Sequence, residues 1–246
     1  ENFMVDGGPP LDNLGRILET YRVVQHGVSL SIASTDPLDF EYLARLKKLC
    51  AFTQTPWFSD HLCWTTAHGT HYHDLLPLPY TSEYARFIAE KARIVQDFVE
   101  LPFALENLSS YVGFQSSEMT EWEFYREVVE RADVHFMLDV NNVFVSSVNH
   151  QFDPHAYLAH LPFDRVAQVH VAGHLELPNG TLLDTHDHRV KREVWDLYRS
   201  VHERTGGVST ILEWDANFVS YEETVAEAMV ARAVQQSTAA SGVDSP

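Results

Sequence analysis

Residues 102–108, Pro-Phe-Ala-Leu-Glu-Asn-Leu, place a carboxylate inside a short apolar run. The length of the run and the proline before it read as a buried strand over 103–108. Glu106 is then a charge at a position where charges are rare unless a partner neutralises them. The arrangement recurs. Apolar runs rich in β-branched and aromatic residues at 23–32, 56–62, 135–143, 166–171 and 208–214 each hold one good metal-ligand type near the end: His26, His61, Asp139, His170 and Glu213. From His26 to Glu213 the successive intervals are 35, 45, 33, 31 and 43 residues, one strand-plus-helix unit each.

Between these runs lie amphipathic helical patterns. One covers 39–50 after the cap-like pair Asp36-Pro37, and one covers 82–99 after the proline-rich 75–80. Thr120-x-x-Glu123 and Ser220-x-x-Glu223 are capping boxes that open helices over 121–131 and 221–234. Alternating strands and helices predict a parallel sheet with crossover helices. An open doubly wound sheet and a closed barrel both satisfy that alternation. No Gly-x-Gly-x-x-Gly follows the first strand, which counts against a dinucleotide fold. The connections 63–81 and 173–190 are long, as suits loops around the carboxyl-end rim of a barrel. The expectation is an α/β TIM-type barrel in one domain over 1–235, followed by a disordered tail of small polar residues over 236–246.

The bulk numbers exclude several classes. The chain has 246 residues, 45% of them hydrophobic, enough for one sizeable core. Asp and Glu number 35 against 17 Lys and Arg, for a formal net charge of −18. Such a surface repels phosphate backbones and anionic lipid, so neither nucleic acid nor membrane is an expected partner. Only Cys50 and Cys63 are present, too few for a disulfide framework or a thiolate zinc cage, and a reducing, cytoplasmic setting fits. No apolar run approaches the roughly 20 residues that span a bilayer.

Gathering three carboxylates and three imidazoles is prohibitively costly unless cations lie among them, whereas metal ions turn the same set into a binding site. In a barrel, ligands at successive strand ends converge on one rim. The segment Asp184-Thr-His-Asp-His188 adds further ligands. Mixed imidazole and carboxylate ligation without thiolate suits iron, zinc or manganese, and ligand chemistry alone does not rank these. So many donors exceed the needs of one ion, and Glu106 or Glu213 has two oxygens with which to bridge neighbouring metals.

Other histidines read differently. His68, His71 and His73 are expected in a solvated loop. Cys63 is expected to be a small buried residue rather than a nucleophile. His135, His150, His155, His160 and His202 have no assigned role, and for His174 and His188, which sit beside ligands, support or substrate contact stands level with a plain loop position.

In order along the chain, Glu1-Asn-Phe, His26-Gly-Val-Ser-Leu-Ser, Ser59-Asp-His-Leu, Leu75-Leu-Pro-Leu-Pro-Tyr, Leu105-Glu-Asn, Leu138-Asp-Val-Asn-Asn, Val169-His-Val-Ala-Gly-His, Asp184-Thr-His and Ile211-Leu-Glu-Trp-Asp form a specific set. In these segments the chain resembles the multinuclear non-haem iron-dependent oxidative enzymes, which include the methanobactin-biosynthesis iron enzyme. The resemblance implies a TIM-type (β/α)8 barrel related to the xylose isomerase and endonuclease IV superfamily. It implies that His26, His61 and Glu106 hold one metal and that Glu106, Asp139, His170 and Glu213 hold a second. Asn142, Asp184 and His186 are implied at a third, weaker position. It further implies two or three iron ions of mixed valence, with dioxygen as co-substrate. The implied substrate is cysteine in a ribosomally made precursor peptide, presented with the help of a separate peptide-binding partner protein. In the family, Glu1-Asn-Phe closes the second barrel strand, so the first one to two strands are expected to be missing and the biological protein to be longer.

Three competing functions remain at this level. A trinuclear zinc hydrolase of the endonuclease IV kind shares the ligand plan, but a DNA phosphodiesterase needs Lys and Arg along its groove. Sugar isomerisation needs a lysine or a further carboxylate set near the metals, and none is identifiable. A non-catalytic metal-binding subunit of a peptide-maturation complex would have no electrostatic reason to retain ligands at all six strand ends.

Overall fold

The structure, a computed structural model, describes residues 1–241, with side chains to residue 237. The chain forms two compact units: 1–106 with 114–135, and 107–113 with the chain from 136 onward.

The first unit contains α1 (Pro9–Leu18), β1 (Gln25–Gly27), α2 (Phe40–Thr53), β2 (Phe58–His61), β3 (Trp64–Ala67), β4 (Thr70–Leu76), α3 (Ser82–Val99), β5 (Phe103–Glu106) and α4 (Glu121–Ala132). Strands β1, β2 and β5 are parallel, and the register pairs His26 with Ser59 and His61 with Glu106. Because side chains alternate faces along a strand, this register brings His26, Ser59, His61 and Glu106 to one side. The other side is core: Phe58 and Phe103 are fully buried and stack at 4.7 Å, with Ile88 and Val95 of α3 buried as well.

Helix α2 is capped by Asp39, whose carboxylate accepts from the Glu41 and Tyr42 amides. Asp36, read as part of a cap, instead accepts from the His68 and Gly69 amides at 3.0 Å and 3.0 Å. The cap thus lies three residues later than Asp36, while the helix itself begins within one residue of the expected 39. The box of Thr120 and Glu123 forms as read. Connection 63–81 is not a plain loop, since β3 and β4 pair antiparallel within it. His71 and His73 are exposed on that hairpin.

The second unit contains β6 (His135–Asp139) from Phe136 on, then α5 (Val140–His150), α6 (Pro154–Ala159), β7 (Val166–Val171), β8 (Leu175–Glu176) and β9 (Leu182–Leu183). It continues with α7 (Arg192–Thr205), β10 (Ser209–Leu212) and α8 (Tyr221–Ser241). Strands β6, β7 and β10 are parallel, with His170 paired to Asp139 on one side and Ile211 on the other. The apolar run 135–143 therefore breaks at Asp139. That carboxylate accepts from the Asn142 amide and starts a helix, although Val140 and Val143 continue the β-branched pattern. A second short hairpin, β8 with β9, lies in connection 173–190.

Of the segment 236–246, residues 236–241 continue α8, and 242–246 lie outside the described residues. Among the described residues no helix is long and apolar enough to cross a membrane.

Candidate metal sites

In the first unit His26 Nε2 lies 2.9 Å and His61 Nε2 3.2 Å from the same oxygen, Oε2 of the buried Glu106. The imidazole centroids are 4.5 Å apart. The other ring nitrogens fix the tautomers. His61 Nδ1 is 2.9 Å from the Gly27 carbonyl, which only accepts, so Nδ1 carries the hydrogen. His26 Nδ1 is 2.9 Å from Ser59 Oγ. That hydroxyl gives its own hydrogen to the Gln25 carbonyl and so accepts from His26. In the neutral form both rings turn an Nε2 lone pair toward the Glu106 carboxylate, where a cation, proton or metal, would be shared by all three groups.

The surroundings hold this geometry. A Cβ at Gly27 would run into the Asp60 carboxylate. Asp60 is itself buried and accepts from the His61 amide at 2.8 Å, and burial pushes its pKa up to about 7. Glu1 accepts from the Val28 and Ser29 amides at 2.8 Å and 2.7 Å, fixing the chain just after β1.

In the second unit Asp139 is fully buried. Its backbone amide and carbonyl bond the side-chain amide of Asn107, both at 2.9 Å, and its carboxylate receives the Asn142 amide at 2.7 Å. His170 Nδ1 is 3.3 Å from Glu213 Oε2. Asp139, His170 and Glu213 offer ligand atoms within 4.8 Å of one another. Asn142 donates to the Asn107 carbonyl at 2.9 Å, and its Oδ1 is buried without a hydrogen-bond partner.

Residues beyond the strands complete a second group. His186 Nε2 is 2.7 Å from Asp184 Oδ1, while its Nδ1 is 3.3 Å from both Glu213 Oε2 and Asp215 Oδ2. Burial opposes charge on this ring, but hydrogen bonds to Asp184, Asp215 and Glu213 outweigh it and hold its pKa far above the usual imidazole range. Asp184 also accepts from Asn141 Nδ2 at 2.6 Å, and Asn141 Oδ1 faces His174 Nδ1 at 2.7 Å. Burial pulls the His174 pKa down to about 4.

The donor set fits metal ions of the borderline class: imidazole and carboxylate atoms, preset tautomers, and a buried amide oxygen at Asn142 with no proton to meet it. His26, His61 and Glu106 come together in one unit, and Asp139, His170, Asp184, His186 and Glu213 in the other. His188 turns to Asp187 instead, and His150 and His160 bond Ser110 and the Ala156 carbonyl. Cys63 is buried, and burial raises its thiol pKa well above the usual range. Sequence reasoning missed Asp215, Ser59, Asn107 and Asn141. Each of the four lies within two residues of a named ligand, and that proximity is the only local signal.

A family model described as "RiPP precursor modification enzyme MbnB/TglH/ChrH" matches residues 1–236. The chain is 51% identical to a UPF0276 protein of Anaeromyxobacter sp. (strain Fw109-5), over 87% of this chain and 76% of that one. It is 45% identical to a UPF0276 protein of Caulobacter vibrioides, over 95% of this chain and 83% of that one. Among solved structures, an L-ribulose 3-epimerase aligns with a TM-score of 0.60 at 15% identity, covering 94% of this chain and 83% of that one. A xylose isomerase-like TIM barrel protein from Mycobacterium smegmatis, in complex with magnesium, gives 0.58 at 11%, covering 96% and 81%. At such identities these two establish the fold alone: a xylose isomerase-like TIM-barrel α/β fold.

Proposed function

The chain belongs to the RiPP precursor modification enzyme family MbnB/TglH/ChrH, and from that premise we propose that it is an iron-dependent oxidase of cysteine residues in a ribosomally made precursor peptide. Residues 1–235 work as one metalloenzyme domain. The ligands are His26, His61 and Glu106 in the first unit, and Asp139, Asn142, His170, Asp184, His186 and Glu213 in the second. When bound, two or three iron ions of mixed valence supply the redox chemistry by which dioxygen oxidises the substrate. The observation that carries the reading is the pair of Nε2 atoms at 2.9 Å and 3.2 Å from one Glu106 oxygen, with both Nδ1 hydrogens committed elsewhere.

The protein's own groups position and insulate. The Gly27 carbonyl and the Ser59 hydroxyl keep the Nδ1 protons in place, so neither ring turns when a cation arrives. Glu106 and Asp139 are desolvated, so their charge is directed at the cation rather than spent on water. His186, whose pKa is raised by hydrogen bonds to Asp184, Asp215 and Glu213, would release a proton on holding a metal. A net charge of −18 argues against nucleic acid, while the precursor peptide, and a separate protein that presents it, are proposed from the family. Two free cysteines, both buried, fit a cytoplasmic setting.

Anaerobic purification, metal analysis and Mössbauer spectroscopy test the reading, followed by mass spectrometry of a cysteine-containing precursor peptide incubated with protein and dioxygen. Iron at two or three per chain with an oxidised peptide is expected. Stoichiometric zinc with no iron and an unaltered peptide would overturn the oxidase in favour of a hydrolase.

A further inference from the structure

We infer that Asn141 and His174 are positioning residues that aim the Asp184 carboxylate, and through it His186, at the metal of the loop-borne site. The inference rests on the metal-site reading above. Asn141 lies in the first turn of α5 and is fully buried. A carboxylate accepts and does not donate, so the Asn141 atom 2.6 Å from Asp184 Oδ1 is its amide nitrogen. That leaves Asn141 Oδ1 toward His174 Nδ1 at 2.7 Å, and Nδ1 is the donor there.

The result is a directed chain. His174 Nδ1–H gives to Asn141, Asn141 gives to Asp184 Oδ1, and the same oxygen faces His186 Nε2 at 2.7 Å.

An asparagine amide has two nearly isosteric orientations; the Asp184 carboxylate requires this one, and His174 in its Nδ1–H form matches and holds it. Turned over, Asn141 would set its carbonyl against the Asp184 carboxylate and its NH2 against the His174 N–H. His174 is 2% exposed and its ring lies 5.4 Å from Phe144, so it has no room to turn away. The adjacent amides thus do different work. Asn142 keeps a buried oxygen without a hydrogen-bond partner, whereas both polar atoms of Asn141 are committed.

Helix α5 clamps the same loop a second time. Asn149 bonds both the Leu182 amide, at 2.9 Å, and the Leu182 carbonyl, at 3.0 Å. Tyr111 Oη accepts the Asp184 amide at 2.9 Å. Asn149 and Tyr111 fix the backbone of the loop, and the chain from His174 fixes its carboxylate.

The test compares Asn141→Asp, His174→Phe and His174→Gln with wild type, and with Asp184→Ala as reference. Each is loaded anaerobically with ferrous iron and read by ions per chain, competition with an iron chelator, and Mössbauer spectrum. Asn141→Asp puts like charges together, His174→Phe removes the donor, and His174→Gln retains an amide donor. The first two are expected to lose the ion and subspectrum lost in Asp184→Ala, with that ion bound 10- to 100-fold more weakly. His174→Gln is expected to recover most of the affinity, and the remaining ions stay. Full occupancy with wild-type affinity in both Asn141→Asp and His174→Phe would overturn the inference, as would loss of every ion at once. A wild-type chain that binds no metal overturns the proposed function and this inference with it.

Discussion

In the first unit His26, His61 and Glu106 stand on neighbouring parallel strands, and the ladder register sets their spacing. In the second, Asp184, His186 and Asp215 stand outside strands, and side-chain amides and backbone bonds stand in for the missing ladder. The His186 backbone adopts a left-handed φ of 47°, and its carbonyl accepts from the Asp215 amide at 2.7 Å. The exposures differ too: the Glu106 side chain is 2% exposed and that of Asp215 63%. Strand-borne ligands are ordered by folding itself, so little further entropy is lost when an ion arrives. Loop-borne ligands need partners of their own, and the ion they hold is expected to be the more exchangeable.

Four experiments bear on that contrast. The largest effect is expected from Glu106→Gln, which removes the carboxylate facing both Nε2 atoms. Metal affinity at His26 and His61 should fall by more than the roughly 100-fold seen when an outer partner is lost. Titration of the apoprotein checks this, and retained affinity would break the contrast. Next is Gly173→Ala. Its Cβ would run into the His188 carbonyl, so the loop backbone must move, and about 3 kcal/mol of stability should be lost. Urea unfolding measures the loss, and a neutral result would show that the loop adapts freely.

A smaller change is expected from Ser59→Ala, which frees the His26 ring from its fixed tautomer. Affinity should drop about 10-fold while the fold persists, as chelator competition would show. The smallest concerns pH. Burial lowers the His174 pKa to about 4 from 6.5, so the unfolded chain binds more protons between those values. The neutral ring's contribution is full above about pH 6.5 and is lost as pH falls toward 4. His174→Gln should flatten the urea midpoint over that window, and an unchanged slope would place the acid sensitivity elsewhere.

Each of the six runs contains a strand, although the run 23–32 keeps one only over Gln25–Gly27 and β10 is partly exposed; in the buried strands a ligand inside an apolar run stands out. Phe103–Glu106 and Val166–Val171 lie where the pattern places them. The break after Asp139 was hidden because Val140 and Val143 suit a strand as well as a buried helix, and only the cap formed by the Asp139 carboxylate separates the two. Helices α1, α6 and α7 were missed, as were both short hairpins. A two-residue strand such as β8 has too few positions to show a period. In the sites, Asn107 and Asn141 escaped notice because an asparagine beside a ligand reads as a turn former.

The sequence by itself determined the alternation of strands and helices, the acidic character and the identity of the ligand types. These follow from local periodicity and composition, which each segment carries without reference to the others. Only tertiary structure decided which nitrogen of His26 and His61 faces its hydrogen-bond partner, that Asp215 joins His186, and that Asn141 lies between Asp184 and His174. Those facts depend on hydrogen-bond partners distant in the chain, such as Ser59 for His26 and Asn141 for His174, and a linear pattern contains no distance between them.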